Sequence, residues 1–347
     1  MNKKLIALAI GAAMAAPMAA QAEATAYAHI QFELAQVDTG TSSTMGIVDK
    51  ERGRIGIKGS EDLGDGMSAF AVAEFDFVGG NDDSEFGDAK DTTGTALTGP
   101  NAHTHSVTVR GNALRVREIA AGLKGGFGSI EIGTLKSAYK YTGGVKYDPF
   151  VTTTLEARGN YGMSGSTMGH NGFINNALGY KNKFGTVDFW LTFSPDETDT
   201  DNDGQGDDGQ MTYALSFGGG NFEAFLSGVD RGTSKADYSA NKLGGKFDLG
   251  GGTAVMGQYE MIDNNGTDVT NMYLSLQMKS GNNTIVVSYG MQDTDDGATN
   301  DNDGTYLTVG AIHNYSKKVR LFGGYSSVQG DGTTDNTTMS VGLRVNI

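Results

Sequence analysis

Residues 24–35 read Ala-Thr-Ala-Tyr-Ala-His-Ile-Gln-Phe-Glu-Leu-Ala. The even positions Ala24, Ala26, Ala28, Ile30, Phe32 and Leu34 are all apolar. The odd positions Thr25, Tyr27, His29, Gln31 and Glu33 are polar, until Ala35. Successive side chains of an extended strand point to opposite faces, so this period of two describes a strand with one apolar and one wet side. The last residues repeat it: Met339, Val341, Leu343, Val345 and Ile347 alternate with Ser340, Gly342, Arg344 and Asn346.

Working inward from both ends, sixteen strand-like segments can be counted, centred on 24–36, 50–58, 67–78, 106–123, 127–135, 171–181, 185–193, 210–218, 221–230, 239–249, 252–262, 268–278, 283–291, 304–315, 317–328 and 336–347. Their connections alternate in length. Seven are short, such as 124–126, 182–184, Gly219-Gly220 and Gly250-Gly251, with 59–66 slightly longer. Eight are longer and polar: 37–49, 79–105, 136–170, 194–209, 231–238, 263–267, 292–303 and 329–335. This predicts an even-stranded antiparallel meander with both termini on the short-turn side. A soluble sandwich or β-helix would hide its apolar faces, whereas a membrane barrel turns them to lipid. In hydrocarbon every backbone N–H and C=O must pair inside the protein, so an all-β span has to close on itself. The turn asymmetry and the alternation up to the last residue favour an all-β, 16-stranded antiparallel transmembrane β-barrel.

Composition agrees. The chain has 347 residues, with 53 Gly, 4 Pro and no Cys, and a net charge of −15. Without Cys there is no disulfide scaffold or thiolate metal site. The acidic balance argues against a nucleic-acid partner, since phosphate neutralisation needs a basic surface. Abundant glycine disfavours a helical enzyme. The first residues form an export signal: Asn2-Lys3-Lys4 is a basic start, Leu5–Ala16 an apolar run, and Ala20-Gln21-Ala22 a cleavage site. Residues 1–22 are thus expected to be a signal peptide and 23–347 the barrel domain, whose charge is −17 after two lysines are removed. No later stretch reaches 18 consecutive apolar residues, so no transmembrane helix is expected.

Gly53-Arg54-Ile55-Gly56-Ile57-Lys58-Gly59-Ser60-Glu61-Asp62-Leu63-Gly64-Asp65-Gly66 resembles the second strand and first periplasmic turn of general diffusion porins. Residues 117–135, REIAAGLKGGFGSIEIGTL, resemble the strand–turn–strand leading into their third loop, and Tyr147-Asp148-Pro149-Phe150 a motif within it. Similarity runs over essentially the whole mature chain, with these three stretches the specific ones. The resemblance implies a homotrimer in the lipid of the Gram-negative outer membrane, with short periplasmic turns, long outer loops and an inward-folded third loop. A lumen wide enough for water is a dimension known from porins themselves. Two positions depart from the pattern. The chain ends in Ile347 where relatives carry Phe, part of the assembly signal. Thr134 and then Lys136 follow Gly133 where relatives often carry Arg.

A porin needs a hole, a constriction and a field rather than a catalytic group. If Ile55 and Ile57 face lipid, alternation sends Arg54 and Lys58 to the lumen; the alternative is a pair of rim charges. By resemblance Arg117 joins them, although Val116 and Ile119 leave its parity ambiguous. In the third loop Asp148 and Glu156 are the acidic candidates, and Lys136, Lys140, Lys146 and Arg158 the basic ones, each weighed against an ordinary solvated loop charge. The charge of −17 hints at cation preference, but much of it falls in outer loops.

Asp199, Asp201 and Asp203 begin a D-x-D-x-D-G stretch that suits Ca²⁺, but Gln210 replaces the bidentate Glu of an EF-hand, so a solvated acidic loop is the competing reading. Gly204-Gln205-Gly206-Asp207-Asp208-Gly209 matches a dinucleotide fingerprint only formally, because its aspartates would repel a pyrophosphate. His103 and His105 lack an evident third metal ligand, and no G-x-S-x-G elbow is present. The expectation is a cofactor-free, non-enzymatic channel for ions and small hydrophilic solutes. A substrate-specific porin and an adhesin or receptor surface on the acidic loops are the alternatives.

Overall fold

The computed structural model describes residues 23–50, 52–76, 89–90, 108–109, 114–165, 172–195, 209–231, 238–295, 297, 303–331 and 335–347. Sixteen barrel strands follow one another. The first eight are β1 (Glu23–Asp38), β2 in two pieces (Ser43–Val48 and Arg54–Gly64), β3 (Met67–Asp76), β4 (Arg115–Gly125), β5 (Gly128–Lys136), β6 (Phe173–Phe184), β7 (Val187–Phe193) and β8 (Met211–Gly219). The rest are β9 (Phe222–Asp230), β10 (Tyr238–Gly250), β11 (Thr253–Asn264), β12 (Thr267–Ser280), β13 (Asn283–Asp295), β14 (Gly304–Asn314), β15 (Val319–Gly330) and β16 (Asn336–Asn346). Each pairs antiparallel with the next. The seam closes where β1 pairs with β16, from His29↔Asn346 to Asp38↔Thr337. Among the described residues no barrel edge is left open, as a hydrocarbon surrounding requires.

The side-chain pattern is inverted relative to a soluble protein. Ile55 and Ile57 are 47% and 58% exposed on the outer face, and Phe32 and Leu34 of β1 are exposed on the same face. Gln31 and Glu33, which alternate with the latter pair, are each 1% exposed and point inward. Apolar side chains therefore meet lipid and polar ones the lumen.

Three details differ from the sequence reading. The second strand begins at Ser43, stops at Val48 and resumes at Arg54, and the fourth begins at Arg115 rather than near 106. The connection expected over 263–267 is a two-residue turn, Asn265 and Gly266 at φ +56° and +84°, the left-handed pair a tight hairpin needs.

After β5 the chain turns into the lumen through two single-turn helices, α1 (Ala138–Tyr141) and α2 (Gly144–Tyr147). Ser137 caps α1, its hydroxyl accepting from Lys140 N at 3.3 Å. The apolar core of the molecule lies between this third loop and the barrel wall. Tyr147, Ala157 and Met163 pack on Phe225, Met256, Tyr273 and Tyr306, and Phe150 and Leu155 pack on Val286, Ile312 and Phe322. The approach is so close that a Cβ on wall residue Gly310 would lie 2.6 Å from the Phe150 ring, and one on Gly324 3.2 Å from Leu155. Full burial of Phe150 stabilises the inward fold by about 1.5–3 kcal/mol.

Candidate functional site: the lumen constriction

The inward loop leaves a cavity of about 660 Å³ between itself and the wall. Lys50 and Arg52, at the break in β2, Arg54 of β2 and Arg117 of β4 line it from the wall. The loop contributes Lys140, Tyr141, Lys146, Thr152, Glu156 and Arg158. Among the described residues the lining holds seven cations and one carboxylate, Glu156.

Second carboxylates sit behind this surface and orient it. Arg117 Nε donates to Glu74 at 2.9 Å and its Nη1 to Asp76 at 3.0 Å. Asp76 also lies 3.2 Å from Arg115 and 3.7 Å from Arg54. The Tyr27 hydroxyl donates to the other oxygen of Glu74 at 2.9 Å, and the Arg117 guanidinium stacks over the Phe173 ring at 4.6 Å. On the loop, Arg158 pairs with Glu156 at 3.2 Å, and Glu156 accepts from Thr152 N at 2.8 Å. Lys146 pairs with Glu223 of β9. Lys140 is half-buried; its removal from water and the nearby Arg158 and Arg117 charges push its ammonium down to about 7.

Of the residues singled out from sequence, Arg54, Arg117, Glu156 and Arg158 share this cavity, with Lys140 and Lys146. Lys58 and Lys136 do not. They border a second space of about 410 Å³ with Thr25, Ser60 and Glu118, where Lys136 pairs with Glu118 and the Lys58 ammonium lies 5.7 Å from the Tyr27 ring. Asp148, expected to face the pore, is instead 2% exposed inside the loop. Its two oxygens accept from Phe150 N and Ala157 N, each at 2.9 Å, so it folds the loop rather than lining the cavity.

Lys50, Arg52, Glu74 and Asp76 were not anticipated. The last two were within reach: Glu74 and Asp76 flank Phe75 in a period-two run, which sends them inward once Phe75 faces lipid. Lys50 and Arg52 lie where β2 breaks, and no periodicity marks that position. Among the described residues no three acidic or His side chains gather closely enough to hold a metal. Asp199, Asp201 and Asp203, like His103 and His105, lie outside the described residues.

A family model described as Gram-negative porin matches residues 7–333. The major outer membrane protein P.IB of Neisseria meningitidis serogroup A is 26% identical over 99% of both chains, and that of Neisseria gonorrhoeae 27% identical over 99% of both. In fold, the chain is similar to an anion-selective porin from Comamonas acidovorans (TM-score 0.73, 17% identity, 94% of this chain and 100% of that one). It is also similar to the OmpF of Salmonella typhi, solved as a complex with daunomycin (TM-score 0.70, 14% identity, 94% and 98%).

Proposed function

The chain belongs to the Gram-negative porin family, and from that premise we propose that its constriction passes anions in preference to cations. The protein is a passive outer-membrane diffusion channel for ions and small hydrophilic solutes, and not an enzyme. The finer reading rests on one observation: seven cationic side chains line the cavity against one carboxylate, and the cluster stays net positive when Glu74, Asp76 and Glu223, paired behind that lining with Arg117 and Lys146, are counted. A charge acts on a passing ion mainly within a Debye length, about 8 Å at physiological salt. The lining therefore outweighs the chain's overall acidity, much of which falls in the connections 79–105, 194–209 and 292–303. Because the loop brings mostly cations to a basic wall, the field is net positive rather than a transverse pairing of opposite rows.

Liposome flux tests this reading. Of two solutes of equal size, one anionic and one cationic, the anion should enter faster; equal rates or a faster cation would reject it. Three further proposals are independent of it. The chain assembles as a homotrimer, supported by the family and tested by cross-linking in detergent. Residues 1–22 are cleaved on export, supported by the basic, apolar and Ala-Gln-Ala order and tested by the N-terminal mass. The stretch from Asp199 to Asp208 takes up Ca²⁺ weakly, supported by its alternate aspartates and tested by calorimetric titration.

A further inference from the structure

The middle of the third loop is held by the two strands that close the barrel. Glu33 of β1 accepts four hydrogen bonds: from Thr154 N at 3.0 Å, the Thr154 hydroxyl at 2.8 Å, the Ser340 hydroxyl of β16 at 2.9 Å and Gln31 Nε2 at 2.9 Å. Gln31 Nε2 also donates to the carbonyl of Thr152 at 2.6 Å. From β16, Arg344 donates to Gln31 Oε1 at 2.6 Å and to the carbonyl of Val151 at 3.3 Å. The register makes this possible, because Gln31 faces Arg344 and Glu33 faces Gly342 across the seam. A Cβ at residue 342 would lie 2.8 Å from Glu33 Cγ, so glycine there lets the carboxylate lean over β16 toward Ser340. Thr152 adopts φ +59°, a backbone that a non-glycine residue keeps only when its surroundings hold it.

Every other ladder in the barrel joins strands adjacent in sequence, whereas the seam joins residues about 300 apart. Its closure carries the largest loop entropy of any pairing. The docking groups for the loop, Gln31 and Glu33 on one side and Ser340 and Arg344 on the other, come together only when that seam is shut. We propose that these four are positioning residues for the constriction, and that the loop middle is a clasp across the seam. Docking sets the aperture, and the docked loop in turn resists opening of β1 from β16. The inference depends on the channel but not on which ion it prefers.

The test uses the full mature chain in planar bilayers and in detergent, with the wild type conducting beside it. Glu33→Ala removes the acceptor, and Glu33→Gln removes the same charge while keeping an oxygen for Thr154. Loss of the buried charged acceptor should raise the population of undocked loop roughly tenfold or more. It should be read as time spent in a higher-conductance level, and Glu33→Gln should restore most of the wild-type behaviour. Amide exchange in Glu23–Asp38 and Asn336–Asn346 should accelerate in Glu33→Ala. Exchange there should stay unchanged in Tyr139→Phe, which loosens the loop from Glu260 on a distant wall strand. Thr154→Val, which only deletes the loop hydroxyl, should show the same two changes more weakly and serves if Glu33→Ala does not fold. Wider conductance with unchanged seam exchange would overturn the clasp. Equal effects of Ala and Gln would overturn the hydrogen-bonded clasp, and unchanged conductance in Glu33→Ala and Thr154→Val would overturn the positioning role.

Discussion

Reversing one charge at the constriction should change ion preference by an amount that follows from its position. Arg54 lines the cavity and its nearest carboxylate, Asp76, is 3.7 Å away. An ion passing about 6 Å from the guanidinium in a water-like dielectric feels about 0.7 kcal/mol per unit charge. Arg54→Glu changes the local charge by two units, giving about 1.4 kcal/mol before screening. At 0.1 M salt, with a Debye length of about 10 Å, roughly half of this remains. The anion loses it and the cation gains it, so the anion-to-cation permeability ratio should fall roughly tenfold. Arg54→Gln should give about half the logarithmic change, without placing a new carboxylate against Asp76. The assay is the reversal potential of single channels under a salt gradient, repeated at high salt, where the difference should shrink. Lys58→Glu is the companion, and because Lys58 borders the other space its shift should be smaller. An unchanged ratio in Arg54→Glu, or a larger shift in Lys58→Glu, would refute the assignment of the ion path to the Arg54 cavity.

Other consequences concern pH and the loop. Lys140 is held down to about 7, so it is charged below that pH and neutral above it. Anion preference should therefore decline as pH rises through about 7, and Lys140→Gln should remove that step from a pH series of reversal potentials. Asp148→Asn puts an NH₂ against either Phe150 N or Ala157 N, each now donating to a carboxylate oxygen. Leaving one N–H unpaired in a buried site should cost about 1–3 kcal/mol, read as a lower unfolding temperature in detergent. Phe150→Ala empties the pocket bounded by Val286, Ile312 and Phe322 and should cost about 3–5 kcal/mol by the same assay.

How much of this was legible in the sequence depends on what alternation can encode. A period of two fixes which face a side chain takes, so the inward direction of Arg54 was readable from Ile55 and Ile57, while the barrel and its strand count were readable from the alternating segments and their short and long connections. The same rule does not give height along the barrel axis. That is why Lys58, on the same side of the same strand as Arg54, lies at a different space. Strand tilt and register decide height, and both depend on pairings absent from a single strand's pattern. The third loop was legible as a loop and by its Asp-Pro-Phe resemblance, but not in detail. Asp148 turned to its own backbone because two N–H groups at Phe150 and Ala157 needed acceptors away from water. The seam contacts of Glu33 and Arg344 were hidden for a different reason. Their faces could be read from Phe32, Leu34, Leu343 and Val345, and closure of the barrel pairs the two end strands, yet their meeting depends on the register of that closure, which sets Gln31 opposite Arg344 and Glu33 opposite Gly342.

On the proposed selectivity, the constriction rather than the chain's net charge of −15 sets what passes. The most direct measurement is the reversal potential of the purified mature protein in a planar bilayer under a KCl gradient. Open channels with the sign of chloride preference, weakening as salt is raised, are the expected result. A potential of the opposite sign, or a folded barrel that carries no current, would contradict it.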